Sequence, residues 1–99
     1  MPILAAGRLS TVTNVIYEAR KNERVTVTFS DEGGGAGTVN MYLQGATTGK
    51  YRRIGKSTSL SANSRIEVPD NGTYIHLGNN DKIHADAASG TIDYVVSGE

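Results

Sequence analysis

Two histidines and one carboxylate are the side chains of this 99-residue chain whose types and spacing come nearest to chemistry. His76, His84 and Asp86 lie on either side of the turn-forming run Gly78-Asn79-Asn80-Asp81. With Ile75, Leu77, Ile83 and Ala85 facing a core, a hairpin over 78–82 pairs Leu77 with Ile83. His76 then stands opposite His84 on the outer face, and Asp86 lies one step along, beside Tyr74. Two imidazoles and a carboxylate are a ligand set for zinc or another divalent ion. The competing reading is a solvated strand face, and no metal is expected. His84 and Asp86 also offer a base and an acid, but no serine sits in a nucleophile turn, and nucleophilic catalysis needs the groups within hydrogen-bond reach. Glycoside hydrolysis needs two acids across a cleft, whereas the acids here mostly flank turns. No catalytic residue is assigned, and the chain is expected not to be an enzyme.

The run Gly33-Gly34-Gly35-Ala36-Gly37 invites comparison with a phosphate-binding loop. It lacks the Lys-Ser/Thr that would follow, and the next element reads as a strand with no helix N-terminus to hold an anion. No cofactor is expected. A hairpin tip that orders against a partner is the preferred reading, which makes Gly34 and Gly35 candidate contact residues. Lys50-Tyr51-Arg52-Arg53-Ile54-Gly55-Lys56 is the single basic cluster. Binding of single-stranded nucleic acid combines cations with several stacking rings, and this cluster has one. Alternation also splits it, with Lys50, Arg52 and Lys56 on one face and Tyr51 and Arg53 on the other. A solvated edge strand is expected, with Arg52 and Arg53 as candidate protein contacts and no nucleic acid.

Strands must position all of these groups. Alternation with period two recurs, and period 3.6 does not. Val25, Val27 and Phe29 alternate with Thr26, Thr28 and Ser30; Val39, Met41 and Leu43 with Asn40, Tyr42 and Gln44; Ile92, Tyr94 and Val96 with Asp93, Val95 and Ser97. Weaker strands fit 11–17, 51–54, 65–68, 73–77 and 82–87, rich in the β-branched and aromatic residues that suit a pleated, half-buried surface. Turn-formers separate them, as in Pro69-Asp70-Asn71-Gly72 and Ala88-Ser89-Gly90. The expectation is an all-β chain: one antiparallel sandwich, jelly-roll or immunoglobulin-like, of about seven to eight short strands. Residues 1–7 are apolar and unpatterned, and read either as an extra edge strand or as an extended arm that docks on a neighbour. The division adopted is an arm at 1–7, with Ile3 and Leu4 as contact residues, and a sandwich domain at 8–99.

Composition bounds the rest. With 37% hydrophobic residues and no cysteine, a disulfide framework and a thiolate metal site are excluded. No apolar run approaches the roughly 18 residues of a membrane span, the first residues are too short for a signal peptide, and no membrane partner is expected. Ten basic residues balance ten acidic ones, which removes the simple electrostatic case for nucleic acid. The charges are nonetheless segregated along the chain, a net of +5 over 1–65 and −5 over 66–99. If the fold turned these halves into two patches, self-association would be electrostatically reasonable.

Several stretches share a familiar layout. Ala6-Gly7-Arg8-Leu9-Ser10 leads into Val15-Ile16-Tyr17-Glu18-Ala19, a polar turn, and Arg24-Val25-Thr26-Val27-Thr28. The end runs through Leu77-Gly78-Asn79-Asn80-Asp81-Lys82-Ile83-His84-Ala85 to Ile92-Asp93-Tyr94-Val95-Val96-Ser97-Gly98-Glu99. This layout resembles the small β-sandwich virion proteins of tailed bacteriophages, which include head decoration (cement) proteins and tail- or neck-associated modules. That group often carries Pro shortly after the Tyr, where this chain has Arg20-Lys21-Asn22-Glu23. The resemblance implies a structural virion protein, made in the host cytoplasm, that binds the major capsid protein on the shell's outer surface. It also implies a homo-oligomer, a trimer or a dimer because a shell offers threefold and twofold axes, with the trimer favoured. The alternatives are a tail, neck or fibre module and, in another class, a carbohydrate-binding sandwich using Tyr42, Tyr51 and Tyr74.

Overall fold

The computed structural model describes residues 2–46, 51–69 and 74–98, with 51–57 described in backbone alone. Among the described residues nine strands follow one another: β1 (Ile3–Arg8), β2 (Asn14–Glu18), β3 (Glu23–Asp31), β4 (Gly37–Gln44), β5 (Tyr51–Leu60), β6 (Arg65–Val68), β7 (Ile75–Leu77), β8 (Lys82–Ser89) and β9 (Ile92–Gly98). Two antiparallel sheets stack as a sandwich. Five strands make the first, in the order β1-β9-β3-β6 with β7 also on β3, and four make the second, in the order β2-β8-β4-β5. Among the described residues there is no helix.

The alternation predicted from sequence is the alternation that is buried. Val25, Val27 and Phe29 of β3, Val39 and Met41 of β4, Ile83, Ala85 and Ala87 of β8, and Ile92 and Val96 of β9 fill the space between the sheets. Each large apolar side chain so buried contributes about 1.5–3 kcal/mol. Leu9, Ile16, Ala19, Leu60 and Leu77 close the core at its margins.

Connectivity differs from the expected hairpins. The chain changes sheet at six of its eight connections, including β3 to β4 and β7 to β8. β7 pairs β3, with Leu77 beside Glu23 and His76 beside Arg24, while β8 pairs β2 and β4. The physical reason is that alternation defines which side of a strand is apolar, and a sandwich satisfies that side equally well from either sheet. The expected hairpin over 78–82 is therefore a crossover, and so is the segment after Asp31.

Of the two readings of the N-terminal segment, the structure has the edge strand. Ile3–Arg8 pairs along β9, Ile3 with Ser97 and Arg8 with Asp93, with a bulge between Ile3 and Ala5. Leu4 and Ala5 pack against the core, so residues 3–7 belong to the sandwich rather than to a separate arm.

Short polar ties hold the crossovers. Asp81 is the most connected: its carboxylate accepts the Gly78 N–H at 2.8 Å and the Ala46 N–H at 2.9 Å. Its backbone carbonyl takes the Ala19 N–H at 2.9 Å. One aspartate thus fastens the β2–β3, β4–β5 and β7–β8 connections at one end of the sandwich.

Candidate functional site

The outer face of the second sheet carries the polar groups singled out above. In β8, Ile83, Ala85 and Ala87 point into the core, and the alternate residues Lys82, His84 and Asp86 lie on the outer side. Asp86 is only 6% exposed there, because the segment before β2 folds over it. Thr13 Oγ1 donates to Asp86 Oδ2 at 2.7 Å, and Asn40 Nδ2 donates to Oδ1 at 2.9 Å. Both carboxylate oxygens are thereby held by structural partners. His84 Nε2 sits 2.9 Å from Gln44 Oε1. Burial, and secondarily the charge of Lys82, lowers the His84 pKa. The contacts of His84 and Asp86 thus run to different partners, Gln44 for one and Thr13 and Asn40 for the other.

The proposed juxtaposition of His76, His84 and Asp86 is corrected by the topology. His76 lies on the outer face of the first sheet, in register with Arg24, and His84 on the outer face of the second, in register with Tyr42. The core separates them. Among the described residues no group of three or more His, Asp or Glu side chains is placed to hold a metal ion. The tyrosines divide in the same way: Tyr74 lies under the Arg24 guanidinium, 5.2 Å from it, on the first sheet's side, and Tyr42 is on the second. The side chain of Tyr51 lies outside the described residues.

The glycine run bridges the two sheets and is not a hairpin tip. Its base is fastened: the Glu32 N–H donates to the Thr91 carbonyl at 2.9 Å and the Gly33 N–H to Asp31 Oδ1 at 3.1 Å. Its middle is open, with nothing within 4 Å of a side chain added at Gly34 or Gly35. Beneath it Asp31 is 1% exposed, and its Oδ2 has no hydrogen-bond partner. Around that oxygen the packing is close: a Cβ on Gly37 would meet Asp31 Oδ2 at 2.9 Å and the Ser89 carbonyl at 3.0 Å.

The six candidate contact residues occupy three separate places. Ile3 and Leu4 begin β1, the edge of the first sheet, where Ile3 is 69% exposed. Gly34 and Gly35 lie at the opposite end, beside the Arg8 end of that strand. Arg52 and Arg53 are on β5, the edge of the second sheet, in register with Leu43 and Tyr42; their side chains, and Lys50, lie outside what is described. Thus β5 is an edge strand as expected, but the three elements do not converge.

Sequence reasoning missed two features. Glu23 is 8% exposed and accepts the Tyr17 hydroxyl at 2.6 Å. Burial first, and then that bond to Glu23, push the Tyr17 hydroxyl up to about 12. Glu23 also borders an open depression of about 460 Å³ shared with Asn22, Arg24, His76 and Gly78. The second is the Arg8–Asp93 ion pair at 2.7 Å, where the guanidinium holds the Asp93 carboxyl below its usual range. It joins the basic part of the chain to the acidic part. The insertion of β9 between β1 and β3, and of β8 between β2 and β4, interleaves those halves. No sequence signal short of strand order would have found either feature.

No family model, no curated protein and no solved structure matches this chain.

Proposed function

We propose that this chain is a structural virion protein that binds the outer surface of a bacteriophage capsid and stabilises the shell. The layout resemblance of its strands supplies the class. The observation that carries the reading is a small sandwich that offers neighbours the edge strands β1 and β5 and an open inter-sheet loop at Gly34 and Gly35. Such elements suit joints between subunits. A protein that binds only the assembled shell stabilises it by mass action, and many copies on one particle act together through multivalency. The partners are the major capsid protein and further copies of the chain.

The test is the copy number per purified virus particle, measured by quantitative mass spectrometry against the major capsid protein. Hundreds of copies are expected. A few to a few tens would move the chain to the tail or neck, and none would overturn the virion reading and leave the carbohydrate-binding module, which a glycan array would then test.

A further inference from the structure

We propose that β1 is a self-association edge, pairing antiparallel with β1 of a second copy about a twofold axis at Ala6. Sheet edges are normally blunted by charge, Pro, bulges or short length, because unpaired N–H and C=O groups template further pairing. β5 carries Arg52, Arg53 and Lys56; β6 carries Arg65 and Glu67 and is followed by Pro69; β7 has three residues; β2 is broken by a bulge between Val15 and Tyr17 and ends in the charged Glu18. β1 also has a bulge, between Ile3 and Ala5, but the stretch beyond it to Gly7 is uncharged, and Ala5, Ala6 and Gly7 are small enough for close approach.

Hydrogen-bond direction limits the register. The Leu9 N–H donates to the Ile92 carbonyl. In an antiparallel ladder the two backbone groups of one residue point the same way, and successive residues alternate. Counting back from Leu9, Gly7 and Ala5 point to β9, and Arg8 and Ala6 point to the open edge. Ala6 lies on the outer face opposite Val95 and is exposed. A continuous sheet about a perpendicular twofold requires paired residues to share a face, so the axis passes through a residue position. Centred on Ala6, the two copies exchange N–H···O=C bonds there, with Ala5 opposite Gly7 and each Arg8 level with the partner's bulge at Leu4.

Charge excludes the neighbouring arrangements. Centred on Ala6, the two Arg8 residues lie four strand positions apart, roughly 14 Å, beyond the Debye length of about 8 Å at physiological salt. Centring on Gly7 halves that separation, and parallel pairing stacks Arg8 directly on Arg8. Each Arg8 is already engaged by Asp93 of its own chain. Self-pairing occupies β1 and leaves the glycine loop and β5 for other partners.

Sedimentation of the full chain, Ala6→Lys, Ala6→Glu and an equimolar mixture of the two variants tests this. Wild type is expected to sediment as a dimer. Each variant alone is expected to be monomeric, its dissociation constant raised on the order of 100-fold by like charges at the axis, and the mixture is expected to restore the dimer. A monomeric or trimeric wild type, a variant that stays dimeric, or a mixture that stays monomeric overturns the proposal. No virus is involved, so failure here leaves the capsid reading intact, and failure of the copy-number test leaves this one intact.

Discussion

At the scale of single residues, the consequential groups are polar side chains with buried atoms. Asp31 Oδ2 is enclosed without a partner, and an uncompensated buried polar atom costs about 1–3 kcal/mol. Asp31→Asn keeps the carbonyl that receives the Gly33 N–H and replaces the unpartnered oxygen with an amide donor near the Ser89 carbonyl, so its urea midpoint is expected to exceed that of wild type. Tyr17 gives a pH signature. Its folded pKa, about 12, lies above the unfolded value near 10. The folded state therefore holds the phenolic proton more tightly, which contributes stability that is complete below the unfolded value and lost as pH rises through the folded one. Denaturation midpoints of wild type are expected to fall between about pH 10 and 12 more steeply than those of Tyr17→Phe. Equal slopes would show that the hydroxyl's bond to Glu23 has no such role.

At the scale of elements, the β8–β9 connection is the most demanding. Gly90 has a φ of +82°, and a Cβ there would lie 2.7 Å from the Gly37 Cα, a backbone atom that cannot swing away. Gly34 also has a positive φ, +76°, but faces open space. The left-handed conformation alone costs a residue with a side chain about 1–2 kcal/mol. Gly34→Ala is expected to lose about that much, and Gly90→Ala distinctly more, because the collision is added to the same conformational cost. Thermal unfolding of the two variants side by side isolates the collision.

At the scale of the whole molecule, β1 is both an exposed edge and part of the core. Leu4 and Ala5 pack inward, and the strand covers one side of β9. Deleting residues 1–7 is expected to lower the unfolding temperature and promote aggregation, since it removes buried apolar area worth about 1.5–3 kcal/mol for Leu4 alone and bares β9. A truncated chain as stable as wild type would mean that β1 adds nothing to the fold. For the same reason the outward-facing Ala6, rather than truncation, is the position at which association separates from folding.

The strands and their buried faces were legible in the chain itself. Val25, Val27 and Phe29, or Ile92 and Val96, declare an apolar side by spacing alone, because a pleated strand sends alternate side chains to opposite faces. Lateral neighbours were not legible. Alternation is satisfied by any strand with a matching apolar side, so His76 and His84, close in sequence and alike in pattern, fall on opposite outer faces of the sandwich. Asp86 shows the same limit: its outward direction follows from the pattern, while its burial follows from a loop carrying Thr13, seventy-three positions away, folding across it. Residues 3–7 became a strand only because β9 was available beside them. Local sequence thus determined which groups turn inward, and the tertiary structure alone decided which groups meet, since contacts between distant segments depend on strand order rather than on period.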